Sequence, residues 1–202
     1  TTGQVLAYHG QIIDAYFHST CGYATAAPEE AFRQIGSEPH LRSVSDRNPN
    51  GGYYCDISPR FRWQVEWDAD TLARILRRSS ASLGVDPAQI NHVRDARIAR
   101  TGPSGRALEV RVSVDAGELA IPAPDIRTVL RTPAGDPLGS SAVQLRTRKA
   151  ADGRLVITVA GAGWGHGVGL CQWGAVGRAR AGQDHRTIVR AYFPGTELQR
   201  WY

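Results

Sequence analysis

Apolar and polar positions alternate from the start of the chain. Gln4–Tyr8 and Gln11–Phe17 each have the period-2 pattern of a strand, and His9 with Gly10 between them forms a hairpin signal. Arg62–Trp67 alternates again and sets Trp63, Val65 and Trp67 on one face. The period then changes. Asp70 reads as an N-cap, and Leu72, Ile75, Leu76 and Leu83 form a helical stripe that stops at Gly84. From Ile90 to Asp115 two strands flank a Gly102–Gly105 turn, with Leu108, Val110, Val112 and Val114 on one face. Asp125–Leu130 is a short helix behind Pro124. Val143–Arg148 and Leu155–Val159 make a hairpin about Asp152 and Gly153. Beyond Cys171 the pattern is helical to Arg180 and closes at Gly182. Asp184 caps a further helix, His185–Phe193, before a last strand, Glu197–Trp201. These elements predict an α+β fold, mainly antiparallel β-hairpins with three or four short helices, as one domain over residues 1–202. Residues 26–60, with Pro28, Pro39 and Pro49, hold most of the irregular chain and are the expected place for an exposed functional loop.

Composition narrows the function classes. With 202 residues, 42% of them hydrophobic, the chain can bury a core. No apolar run approaches the ~20 residues of a membrane span, and the 202 residues contain no charged-then-apolar signal segment. The sequence contains no methionine, so Thr1 is not a translational start and the expectation is a processed, truncated or cleaved chain. The net charge of +5 is almost all arginine, Lys149 being the lone lysine, and favours anionic partners. No basic run interleaved with aromatics points to nucleic acid.

The densest signal lies at residues 161–174, where every second residue from Gly161 to Gly169 is glycine. In an extended chain all five glycines share one face, and Ala162, Trp164, His166 and Val168 share the other. Such a bare face admits either a ligand or a closely crossing strand, and the sequence leaves both open. Known phosphate loops are excluded, since no Gly-Lys-Ser/Thr follows and G-x-G-x-x-G fits in no register, and the G-x-S-x-G nucleophile elbow is absent too.

Cys21, Cys55 and Cys171 allow at most one intramolecular disulfide. The readings are a disulfide, if the protein is exported, and plain buried thiols. No cofactor is expected, although His18, Cys21, His166 and Cys171 together would satisfy zinc chemistry if the two segments converged. Cys171 as a nucleophile would need a base and an orienting group. Paired carboxylates are not evident: Glu29 and Glu30 are adjacent, so their side chains diverge.

Residues 2–25, which end in His18-Ser-Thr-Cys-Gly-Tyr-Ala-Thr25, resemble the first signature of the sporulation stage II protein D (SpoIID/LytB) family. Gly163-Trp-Gly-His-Gly-Val-Gly-Leu-Cys-Gln-Trp-Gly-Ala175 resembles the second, Tyr192-Phe-Pro-Gly-Thr196 the closing one, and Leu41-Arg-Ser-Val44 fits between them. The order is that of the family. Two departures stand out: Tyr23 replaces a glycine, and Cys171 stands where serine is common.

The resemblance implies an extracytoplasmic protein acting on peptidoglycan. Its activity would be lytic transglycosylation to 1,6-anhydromuramoyl products, or it would serve as a non-catalytic glycan-binding or amidase-activating module. In family enzymes one glutamate is both acid and base. It lies ahead of the first signature, so the expectation is a chain without its catalytic glutamate. The implied partners are glycan strands, a cell-wall amidase or an N-terminal fragment. The implied substrate contacts are Ser19, Cys21, His166, Gln172 and Trp173, with Trp164 and Trp173 available for sugar stacking.

Overall fold

A computed structural model describes residues 3–115 and 117–201, so Thr2, the first residue of the N-terminal signature, lies outside the described residues. The chain divides into two compact units, residues 1–61 with 163–202, and residues 62–162.

The first unit starts with β1 (Gln4–Tyr8) and β2 (Gln11–Ile12), paired antiparallel. His9 and Gly10 both have positive φ, the backbone of a two-residue hairpin turn. The predicted strand Gln11–Phe17 is interrupted. Its end becomes β3 (Phe17–His18), which pairs with a different partner, and residues 13–16 between them are irregular.

The chain then builds the second unit. Here β4 (Arg62–Asp68) runs directly into α1 (Ala69–Arg78), followed by α2 (Ser80–Leu83) with Gly84 at its left-handed C-cap. The predicted helix over this stretch is thus two, which brings the number of α-helices among the described residues to five. Next come β5 (Asp95–Thr101), β6 (Ala107–Val114), β7 (Gly117–Pro122), α3 (Ala123–Val129), β8 (Val143–Lys149) and β9 (Leu155–Ala162). They form two three-stranded antiparallel sheets, ordered β4-β9-β8 and β5-β6-β7. Strand β7 carries only two inward apolar residues, Leu119 and Ile121, too short an alternation to stand out in the sequence. Trp67, Leu72, Leu76, Val110, Val112, Ile126, Ile157 and Val159 belong to one buried cluster.

Asp68, not Asp70, caps α1: its Oδ1 accepts the Thr71 N–H at 2.6 Å. Because β4 leads straight into the helix, the residue at the junction is the one whose backbone is still extended, and Asp70 falls in the first turn. The backbone N–H and hydroxyl of Thr71 hold the Asp68 carboxyl below its ordinary range. Its folded pKa is depressed, so its contribution is in place at neutral pH and vanishes as acidification protonates the carboxyl. Asp68→Ala should cost about 1 kcal/mol in urea unfolding at pH 7, while Asp70→Ala costs less.

Returning to the first unit, β10 (Leu170–Cys171) pairs parallel with β3 and leads into α4 (Gln172–Arg180). Helix α5 (His185–Tyr192) follows, capped by Asp184 as predicted, and β11 (Glu197–Arg200) pairs with β1. Residues 26–60 are pinned by short 3-10 turns at Pro28–Glu30, Pro39–Leu41 and Tyr54–Ile57, and they bury Leu41, Asp46 and Cys55. Much of the expected loop is therefore part of this unit's core.

Candidate functional site

Beyond Ala162 the glycine segment is not an extended strand. Gly163, Gly165, Gly167 and Gly169 have φ of 78°, 112°, 91° and 72°, so every second residue is left-handed and the chain curls. Residues 16–21 fill the space this leaves. A Cβ on Gly163 would lie 2.3 Å from the Thr20 carbonyl oxygen, and one on Gly169 would lie 2.1 Å from that of Tyr16. The two stretches are stitched by Trp164 N–H to Thr20 O (2.7 Å), Thr20 N–H to Trp164 O (3.0 Å) and Leu170 N–H to Tyr16 O (2.9 Å). Of the two readings of the glycine face, the closely crossing chain is the one observed.

This crossing brings the sequence-predicted residues around one β3/β10 seam. His166 Nε2 donates to Phe17 O at 2.9 Å, and its Nδ1 accepts the Val168 N–H at 3.1 Å, so backbone groups engage both ring nitrogens. Ser19 is half-buried and its carbonyl accepts the Trp173 N–H at 3.0 Å. Gln172 is exposed, whereas Trp173 packs partly onto the buried cluster of this unit. Trp164 is half-buried with the Arg60 guanidinium 4.4 Å from its ring centroid. Cys21 is fully enclosed and faces other thiols.

Those thiols converge. Cys21, Cys55 and Cys171 are all buried, none is disulfide-bonded, and the Cys21 and Cys55 Sγ atoms are 3.5 Å apart. Thiol donors from Cys21 and Cys55, with His18 beside them, push the Cys171 thiol strongly down. Burial pushes Cys21 strongly up, and the contact with Cys171 does the same to Cys55. His166 does not join this cluster; the imidazole beside Cys171 is that of His18, whose Nδ1 donates to Val168 O at 3.1 Å.

Asp46, which nothing in the sequence marks, completes the group. It is fully buried, its Oδ2 accepts the Cys55 N–H at 2.9 Å, and its Oδ1 accepts the Tyr192 hydroxyl at 2.5 Å. Burial raises its carboxyl above the ordinary range. Tyr192→Phe leaves this acceptor one donor short in a sealed site, so it should cost about 1–3 kcal/mol by chemical denaturation.

The accessible part of the seam opens on two adjoining grooves that share Asp14 and Tyr16. One, of about 280 Å³, is lined by residues including Tyr8, Gln11, Glu38 and His40. The other is a shallow depression lined by Asp14, Ala15, Tyr16, Phe17 and His166. Phe17 is 63% exposed, although it sits in a strand. The break in the predicted strand at residues 13–16 forms the wall common to both. Of the sequence-predicted contacts only His166 lines these grooves; the rest of the lining carries no motif in the sequence beyond the aromatic pair Tyr16-Phe17.

Comparison with known proteins places this sequence in a SpoIID/LytB-like class. Over 98% of its length the chain is 25% identical to the amidase enhancer of Bacillus subtilis (strain 168) and 29% identical to stage II sporulation protein D of the same organism. An uncharacterized protein of Brachyspira hyodysenteriae is 28% identical over the same share. The chain spans 31%, 48% and 46% of these three proteins respectively. Residues 14–169 match a family described as a domain of unknown function (DUF8618), and the chain belongs to that family. The resemblance read from its signatures is thereby borne out. No helix among the described residues is long and apolar enough to cross a membrane.

Proposed function

We propose that this chain is a peptidoglycan-binding domain of the cell envelope, and that the two grooves sharing Asp14 and Tyr16 hold the glycan strand. The observation that carries this reading is their lining: Tyr8, Tyr16 and Phe17 offer ring faces for the apolar side of a sugar. Gln11, Asp14 and Glu38 offer partners for its hydroxyls. Ser19, Gln172 and Trp173, along the same β3/β10 seam, extend the contact surface. The arginine-rich net charge of +5 favours an anionic wall polymer. Similarity to an amidase enhancer supports a role beside a cell-wall amidase, with the domain holding the strand while that enzyme cuts.

The acid/base glutamate that the resemblance implies lies ahead of the first signature, so the described residues supply the binding part of this reading. A general acid working near neutral pH needs a carboxyl raised by burial yet open to substrate. Asp46 is raised but sealed, while Asp14 and Glu38 are groove-facing and exposed. Lytic transglycosylation is the second reading, implied by the resemblance of the signatures at residues 2–25 and 163–175 to the SpoIID/LytB family.

Co-sedimentation of the purified chain with isolated sacculi tests the first reading. The wild type should pellet with the sacculi, and Phe17→Ala combined with Asp14→Ala should weaken binding about tenfold, or roughly 1.4 kcal/mol. A wild-type chain that stays in the supernatant overturns it. Mass spectrometry of the digests separates the second reading, using the chain alone and a version extended at its N-terminus. Anhydromuropeptides in either digest establish cleavage, and their absence from both leaves a binding domain.

A further inference from the structure

Three thiols and a carboxylate from well-separated stretches of the first unit meet at one point. Cys21 follows β3, Asp46 and Cys55 come from the 26–60 segment, and Cys171 is the N-cap of α4. All four side chains have 0% exposure, and their ligating atoms all lie within 4.8 Å of one another. A tetrahedral zinc ion, at about 2.3 Å from sulfur and about 2.0 Å from oxygen, spreads its ligands to mutual separations of roughly 3.5–3.8 Å. Cys21 and Cys55 Sγ, at 3.5 Å, already stand at that spacing. A disulfide would use only two of the thiols and would require them at about 2.05 Å.

The surroundings orient the four donors and offset their charge. Cys171 Sγ accepts the backbone N–H groups of Cys21 at 3.1 Å and Gly174 at 3.2 Å, at the N-terminus of the nine-residue α4. Asp46 is held by the Cys55 N–H and the Tyr192 hydroxyl, and the buried Arg178 guanidinium lies 3.9 Å from its Oδ1. These are the outer hydrogen bonds that fix metal ligands in place. His18 stands beside Cys171, its Nε2 buried with no hydrogen-bond partner.

We propose that Cys21, Asp46, Cys55 and Cys171 form a closed structural zinc site that ties the β3 end, the 26–60 segment and α4 into one unit. The ligand set shares only Cys21 and Cys171 with the grouping considered from the sequence. Four enclosed protein donors leave no position for substrate, which separates this site from the glycan grooves and from the function proposed for them.

The test is metal content of the reduced full chain after incubation with Zn²⁺ and gel filtration. About one zinc per chain should remain bound. Cys171→Ser and Asp46→Asn should each lose it. Because those variants could misfold, wild-type chain is also loaded with Co²⁺. Thiolate-to-cobalt charge-transfer bands in the near ultraviolet, together with the strong visible bands of a tetrahedral ion, are expected. Wild-type chain that retains neither metal overturns the proposal, as does a Cys21–Cys55 disulfide in chain isolated without added oxidant.

Discussion

Gly163→Ala and Gly169→Ala should each destabilise the protein by about 3–5 kcal/mol, among the largest effects expected of a single methyl group. Two costs combine at each position. A side chain in the left-handed region costs roughly 1–2 kcal/mol. The new Cβ would also lie 2.3 Å from Thr20 O or 2.1 Å from Tyr16 O, and both are backbone atoms that cannot rotate away. Relief requires β3 and its flanks to move off the glycine segment, which breaks the Trp164–Thr20 and Leu170–Tyr16 hydrogen bonds. Gly36→Ala is the control: its Cβ meets nothing within 4 Å, and the change should stay within about 0.5 kcal/mol. Urea midpoints at constant slope measure all three. A Gly163→Ala protein within about 1 kcal/mol of wild type would contradict the crossing described for residues 16–21.

The second large effect falls in the other unit. Trp67 is 1% exposed within the cluster of β4, α1, β6 and β9, and its Nε1 donates to Arg131 O at 2.8 Å. Trp67→Ala should cost about 3–5 kcal/mol, the lost transfer energy plus the cavity left behind. Trp67→Phe keeps most of the apolar volume but strands the Arg131 carbonyl, and should cost about 1–3 kcal/mol. Equal losses for the two variants would mean that the hydrogen bond, not the packing, dominates at this position. Chemical denaturation of both, compared with Trp63→Phe at the partly buried neighbour, separates the two contributions.

Much of the fold was legible in the sequence because local chemistry and tertiary packing agree there. His9 and Gly10 made a hairpin, Val110 and Val112 faced the core, Gly84 ended a helix, and Asp184 capped one. The exceptions have physical reasons. Asp70 lost the cap to Asp68 because β4 continues to the helix without a loop. The Gln11–Phe17 strand broke because Phe17–His18 pairs with β10, some 150 residues away in sequence, rather than with β1. Alternating glycines are compatible with a strand, but the pattern carries no information about the sign of φ, and that sign decides between a flat face and a curl.

The site was legible in part for similar reasons. His166, Ser19 and Trp173 were marked by their motifs and do gather at one seam. Asp46 was invisible because a lone aspartate in an irregular segment gains meaning only from what lies against it, here Cys55, Tyr192 and Arg178. The grooves depend on the interruption of a strand, and so could not be read from its apolar pattern.

The most direct test of the central claim is amide chemical-shift mapping with a soluble peptidoglycan glycan fragment. Binding in the grooves predicts saturable shifts concentrated at residues 8–17, 38–41 and 166, with residues 62–162 largely unmoved. Shifts concentrated in residues 62–162, or none at all, would contradict it.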